Sequence, residues 1–154
     1  TFLRSNKRAR KMMITNALVG AVSTLVLFFL QAKLPLAGLD SALLGPALFM
    51  MGLGAAAGAK ISQYFSGSSY VRMLLASGVG VLFAFGMTFT GRPYLMILGG
   101  FVGALSDDFL EVRTDVLLNE MIPSGQRATL ISVSSFLFSL VMIVMSTLIG
   151  WIMG

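Results

Sequence analysis

Four stretches of this chain, 12–32, 41–59, 73–91 and 128–154, carry no charged side chain. Each holds about the 20 residues that an α-helix needs to cross a hydrocarbon core of about 30 Å. A fifth apolar stretch, 93–106, runs for only about 14 residues before it meets acids, so it crosses only if its helix continues through them. The pattern predicts helical spans over 12–32, 41–61, 72–91, 93–118 and 128–153, joined by short loops. Pro35 and Gly38 mark the loop 33–40, and Gly91-Arg92-Pro93 reads as a tight turn with proline at a helix start. Short loops make successive spans antiparallel neighbours. The expected fold is an all-α integral membrane bundle forming a single membrane domain, 1–154.

Charge gives the bundle a direction. The basic residues Arg4, Lys7, Arg8, Arg10, Lys11, Lys60, Arg72, Arg113 and Arg127 fall on one side of the alternating spans, with only Lys33 and Arg92 on the other. The positive-inside rule reads the richer side as cytoplasmic, with the N-terminus inside and the C-terminus outside. The asymmetry also favours the conditional span, because removing it moves Arg127 across. Tyr64, Tyr70, Tyr94 and Trp151 fall at span ends, where amphipathic rings prefer to lie.

Composition narrows the chemistry. Only 11% of the 154 residues are charged against 56% hydrophobic, with a mean hydropathy of +0.90. Soluble domains carry roughly 25% charged residues. The net charge of +5 raises a nucleic-acid reading, but the basic run abuts an apolar span, which points to membrane topology, with nucleic-acid or lipid-headgroup contact as the alternatives. That apolar run is also longer than the core of a signal peptide, about 7 to 15 residues. The chain has no cysteine and no histidine, so disulfides and sulfur metal sites are not expected and any proton chemistry falls to carboxylates. Neither a phosphate-binding loop nor a metal-ligand spacing is present, so no cofactor, metal or enzyme activity is expected. An aspartyl hydrolase built on Asp107 and Asp108 is disfavoured, since adjacent helical residues diverge by about 100°.

Five of the six acids, Asp107, Asp108, Glu111, Asp115 and Glu120, lie in one short block. On a helix continued from Pro93, with Asp107 at 0°, Glu111 falls near about 40°, Asp115 near about 80°, Asp108 near about 100° and Asn119 near about 120°. Arg113, near about 240°, stands apart on the side of Glu120. Like charges at i,i+4 repel when ionised and a low-dielectric crevice disfavours charge, so such a stripe suits the exchange of a proton for a cation. The alternative is a solvated face beyond the membrane. Depth favours the first for Asp107, Asp108 and Glu111, and the second for Asp115 and Glu120, as a mouth.

On the first span Asn16, Gly20, Ser23 and Gln31 fall within about 80° of arc, either lining a cavity or bonding to a neighbouring helix. The pairs Gly54/Gly58, Gly99/Gly103 and Gly150/Gly154 and the stripe Ser132, Ser135, Ser139 and Ser146 read as close-packing surfaces.

The segment Asn119, Ile122-Pro123, Arg127-Ala128-Thr129, with Ser132 opening the next span, resembles the cytoplasmic loop between the tenth and eleventh helices of major facilitator superfamily transporters, especially drug-efflux-like bacterial members. The five spans follow helices seven to eleven of that family in order, with the basic run as its central loop. The resemblance implies the C-terminal half of a twelve-helix carrier in a bacterial cytoplasmic membrane, a partial six-helix bundle with the last helix and the N-terminal half missing. The chain also begins with Thr, as a piece of something longer would, and alone it would not transport. As implied, helices seven and ten line the pathway, with Asn16, Ser23 and Gln31 opposite Asp107, Asp108 and Glu111. Those three acids become candidate proton or cation sites, Arg113 an ion-pair or gating residue, and Asn119, Pro123, Arg127 and Thr129 the loop motif. The expected function is proton-coupled efflux of a small organic solute by alternating access. A sugar or metabolite importer of the same fold, and a non-transporting scaffold or receptor, are the alternatives. The expected partners are membrane lipid, a small-molecule substrate and the missing half of the carrier.

Overall fold

A computed structural model describes residues 5–153; Arg4 of the basic run and Gly154 of the last glycine pair lie outside them. Five long helices fill this range: α1 (Lys7–Leu36), α2 (Ser41–Ser62), α3 (Tyr70–Met87), α4 (Pro93–Met121) and α5 (Arg127–Met153), with single 3-10 turns at Gln63–Phe65 and Ser124–Gln126. No strand occurs among the described residues. Four of the helices, α1, α2, α3 and α5, are long and apolar enough to cross a membrane.

Local chemistry sets the helix ends, and they differ from the apolar boundaries. Asn6 accepts a hydrogen bond from the Ala9 amide at 3.0 Å, satisfying one of the donors that a helix start leaves orphaned. The basic run from Lys7 is therefore helical, and α1 begins five residues before the charge-free stretch. Asp40 caps α2 through the Ala42 amide at 2.8 Å. α3 stops at Met87, short of the expected 91: the Thr88 hydroxyl donates back to the Phe85 carbonyl at 2.6 Å and that of Thr90 to Met87 at 2.9 Å. Gly91, at φ 62°, then turns the chain into Pro93. That left-handed conformation is open to glycine without steric cost.

α4 settles the question of helix continuity. It runs unbroken for 29 residues through the acidic block, about 43 Å at 1.5 Å per residue. It ends where Ile122 turns extended, as a residue preceding proline is biased to do.

α4 is also the centre of the bundle, with α1, α2 and α3 packed around it and α5 packed against α1. Small residues permit this. A side chain on Gly54 or Gly58 would run into the Phe101 or Leu105 carbonyl of α4, so α2 and α4 meet backbone to backbone. Gly99 and Gly103 of α4 make room for the Met87 and Ala84 side chains of α3. Such close approach is how helices gain contact where lipid removes the hydrophobic drive between them. Both pairs serve the close packing that their spacing suggests, whereas Gly150 faces open space.

Two apolar clusters hold the ends. Val26, Leu30, Leu34, Met51 and Met96 pack at one, and Ala9, Met12, Met13, Leu118 and Leu130 at the other. The outward faces are apolar too, with Phe49, Leu82, Ile143 and Trp151 all exposed. Apolar exposure on this scale marks a surface made for lipid or protein rather than water.

The four rings at span ends do not share one environment. Tyr64, Tyr94 and Trp151 are 78%, 80% and 87% exposed, while Tyr70 turns inward. Its hydroxyl lies 3.3 Å from the Met12 carbonyl, 3.3 Å from the Thr15 hydroxyl and 3.2 Å from that of Thr114. Tyr70 thus ties the starts of α1 and α3 to the far half of α4.

Candidate functional site

α1 and α4 run antiparallel, which brings the polar face of one against the acids of the other. The Ser23 hydroxyl, buried, lies 3.4 Å from the Gly103 carbonyl and within reach of the Asp107 carboxylate. One turn earlier on α1, a Cβ on Gly20 would sit 3.4 Å from Asp107 Oδ1 and 3.5 Å from Phe138 Cε2. Gly20 is thus the point where α1, α4 and α5 converge, and its missing side chain leaves Asp107 room.

Toward the end that carries the α1 N-terminus, the three helices separate into a cleft of about 400 Å³. Asn16 lines it from α1, Glu111 and Asp115 from α4, and Ser134, Ser135, Phe138 and Ser139 from α5. Among the described residues, no basic side chain is part of its wall. Asp107 lies one turn beyond Glu111, near enough for their charges to interact, and Glu111 is coupled in the same way to Asp115. The acids at i,i+4 therefore form a ladder leading from the cleft toward the buried Ser23.

The expected residues are only partly gathered here. Asn16 shares the cleft with Glu111, and the Ser23 hydroxyl reaches Asp107. Gln31 is exposed, about three turns further along α1 than Gly20, and takes no part. Asp108 is half-buried and its charge reaches Asp107 and Glu111, but it does not line the cleft. Arg113 faces another way: its Nη2 donates to the Ser66 carbonyl in the turn between α2 and α3. In the loop motif, the Arg127 guanidinium donates to the Asn119 carbonyl at 3.4 Å, tying the end of α4 to the start of α5, while Pro123 and Thr129 are exposed.

Three features of the cleft were not assigned from the sequence. Asp115, set aside with the mouth, shares the cleft with Glu111. Ser135 and Ser139, read as packing, line the wall facing the carboxylates, and Ser134 and Phe138 join them. The four-residue spacing of Ser135 and Ser139 was a visible signal, but spacing alone does not say which neighbour a face meets.

Chemically, the arrangement offers carboxylate oxygens, an amide and hydroxyls on opposed helices. These groups accept protons and coordinate or hydrogen-bond a cationic or polar solute. No group of three or more His, Cys, Asp or Glu side chains among the described residues is disposed to hold a metal ion. No known protein family, curated protein or solved structure matches the chain.

Proposed function

We propose that this chain is part of a secondary active transporter that moves a small organic solute across a membrane by alternating access, coupled to proton exchange. The observation that carries the reading is the cleft between α1, α4 and α5. Carboxylates on a central helix, opposed by an amide and hydroxyls across a space of about 400 Å³, are what a proton-exchanging pathway requires. Ionisable groups are costly at membrane depth and are retained there chiefly for transport, relay or ligand binding. The resemblance to the major facilitator superfamily supports the same reading, in which this bundle works with a second half.

In the proposed cycle the acids of α4 release a proton when solute enters and regain one when it leaves. Asp107 is the innermost coupling group, Glu111 and Asp115 form the entrance, and Asp108 modulates their charge. Arg113, bonded to the turn between α2 and α3, serves to brace the end of the bundle at which the cleft opens. The proposed setting is a bacterial cytoplasmic membrane with the α1 N-terminus on the cytoplasmic side, and the proposed direction is export.

Vesicles containing the complete carrier test this under an imposed pH gradient, with a panel of cationic and neutral dyes as solutes. Asp107→Asn is expected to abolish the gradient-driven component of flux, and Asp108→Asn to weaken it. Full gradient-driven flux in both variants rules out the coupling role. Absence of any flux in the wild type favours a scaffold, and gradient-driven uptake in the opposite sense favours an importer.

A further inference from the structure

A second and larger cavity, about 690 Å³, opens at the same end of the bundle between α1, the start of α3 and the last third of α4. Among the described residues, four cationic side chains line it, Lys7, Arg8, Lys11 and Arg113, and no carboxylate does. Ser68 and Ser69 complete the polar rim. Ser69 precedes α3 without a side-chain capping bond, so the first amides of that helix add their partial positive charge. Arg113 is held by its Nη2 on Ser66, yet its Nε is buried without a partner. A buried donor left unpaired in a native fold calls for an explanation.

The floor of the cavity is apolar, formed by Met12, Val71, Leu74 and Leu117. It does not end there. Thr15 and Leu74 also line a groove of about 320 Å³ that continues between α1 and α3 along Leu18, Val19, Val79 and Leu82. Gly78 leaves this groove open, since a Cβ there meets nothing within 4 Å.

We propose that the basic cavity and the groove together bind one anionic phospholipid, with its phosphodiester among Lys7, Arg8, Lys11 and Arg113 and an acyl chain along α1 and α3. The charge selects an anion. The continuous apolar groove selects a lipid over a soluble phosphate, which would gain nothing from it. The level also fits, because the basic residues stand just before the charge-free stretch that begins at Met12, where headgroups meet the hydrocarbon core. The proposal does not depend on transport.

Nanodiscs of equal phosphatidylglycerol and phosphatidylcholine, analysed by native mass spectrometry of the released protein, test it. The wild type should retain phosphatidylglycerol over phosphatidylcholine by about tenfold. The triple variant Lys7→Gln, Arg8→Gln, Lys11→Gln should lose the preference, while Lys33→Gln with Arg92→Gln, at the opposite end, keeps it. Gly78→Leu fills the groove without touching a charge and should lower phosphatidylglycerol retention severalfold; it carries the test if the triple variant loses helicity. Retention of the two lipids in their bath ratio overturns the proposal, as when another polypeptide segment fills the groove. Undiminished retention in Gly78→Leu overturns the acyl-chain assignment. Displacement of the lipid by equimolar glycerol 3-phosphate reassigns the cavity to a soluble phosphate and overturns it as well.

Discussion

At the scale of single residues, backbone contact sets how far a helix face tolerates substitution. Gly54 and Gly58 announce close packing by their spacing, and the backbone of α4 fills the room they leave. Gly58→Ala therefore forces a methyl group onto the Leu105 carbonyl, which cannot swing aside as a side chain end would. The expected loss is about 1–3 kcal/mol, read as an earlier midpoint in a denaturing-detergent titration. Gly52→Ala, where nothing lies within 4 Å, should be neutral or slightly stabilising, because alanine favours a helix over glycine. Equal effects at the two positions would contradict the packing account. Tyr70 illustrates the limit: a tyrosine at a span end suits a membrane interface, but only the meeting of Met12, Thr15 and Thr114 around its hydroxyl reveals a clamp. Gly80 is similar, since its partner Ser106 lies on a helix that spacing alone does not connect to it.

At the scale of elements, hydropathy locates the apolar part of a helix while caps and turns locate its ends. α1 starts at Lys7 because Asn6 caps it, so a helix predicted from residue 12 is short by more than a turn. Asn6→Ala removes the acceptor and should cost the first turn about 1 kcal/mol. Hydrogen exchange at the amides of Ala9 and Arg10 should then quicken severalfold, with the amides around Leu25 unchanged; unchanged exchange at Ala9 would mean the cap contributes nothing. The acid-bearing helix was the hardest element to read, because its apolar part is short and its remainder is charged. What fixes it is tertiary: α1, α2 and α3 all pack on α4, and the acids occupy a side that meets the polar residues of α1 and α5.

At the scale of the whole molecule, the helical class, the order of five helices and their antiparallel run were legible from charge-free stretches and short loops. The place of α5 was not. It packs on α1, and that placement turns serines on its surface into one wall of the cleft. The same arrangement sends Arg113 to a different cavity from Glu111, two residues away, and so divides one end of the bundle into an acidic side and a basic side. The central claim is that the acidic side is a water-filled cleft within an otherwise lipid-facing bundle. A chain without cysteine allows a direct measurement: single cysteines are introduced and labelled in sealed and opened vesicles with a membrane-impermeant thiol reagent, which reacts with the thiolate that forms in water. Ser135→Cys and Ser139→Cys, in the cleft, should label readily, and Phe49→Cys and Ile143→Cys, on exposed apolar faces, should resist. If the two cleft positions prove as unreactive as Ile143→Cys, the cleft is dry and the account of a proton-exchanging pathway fails.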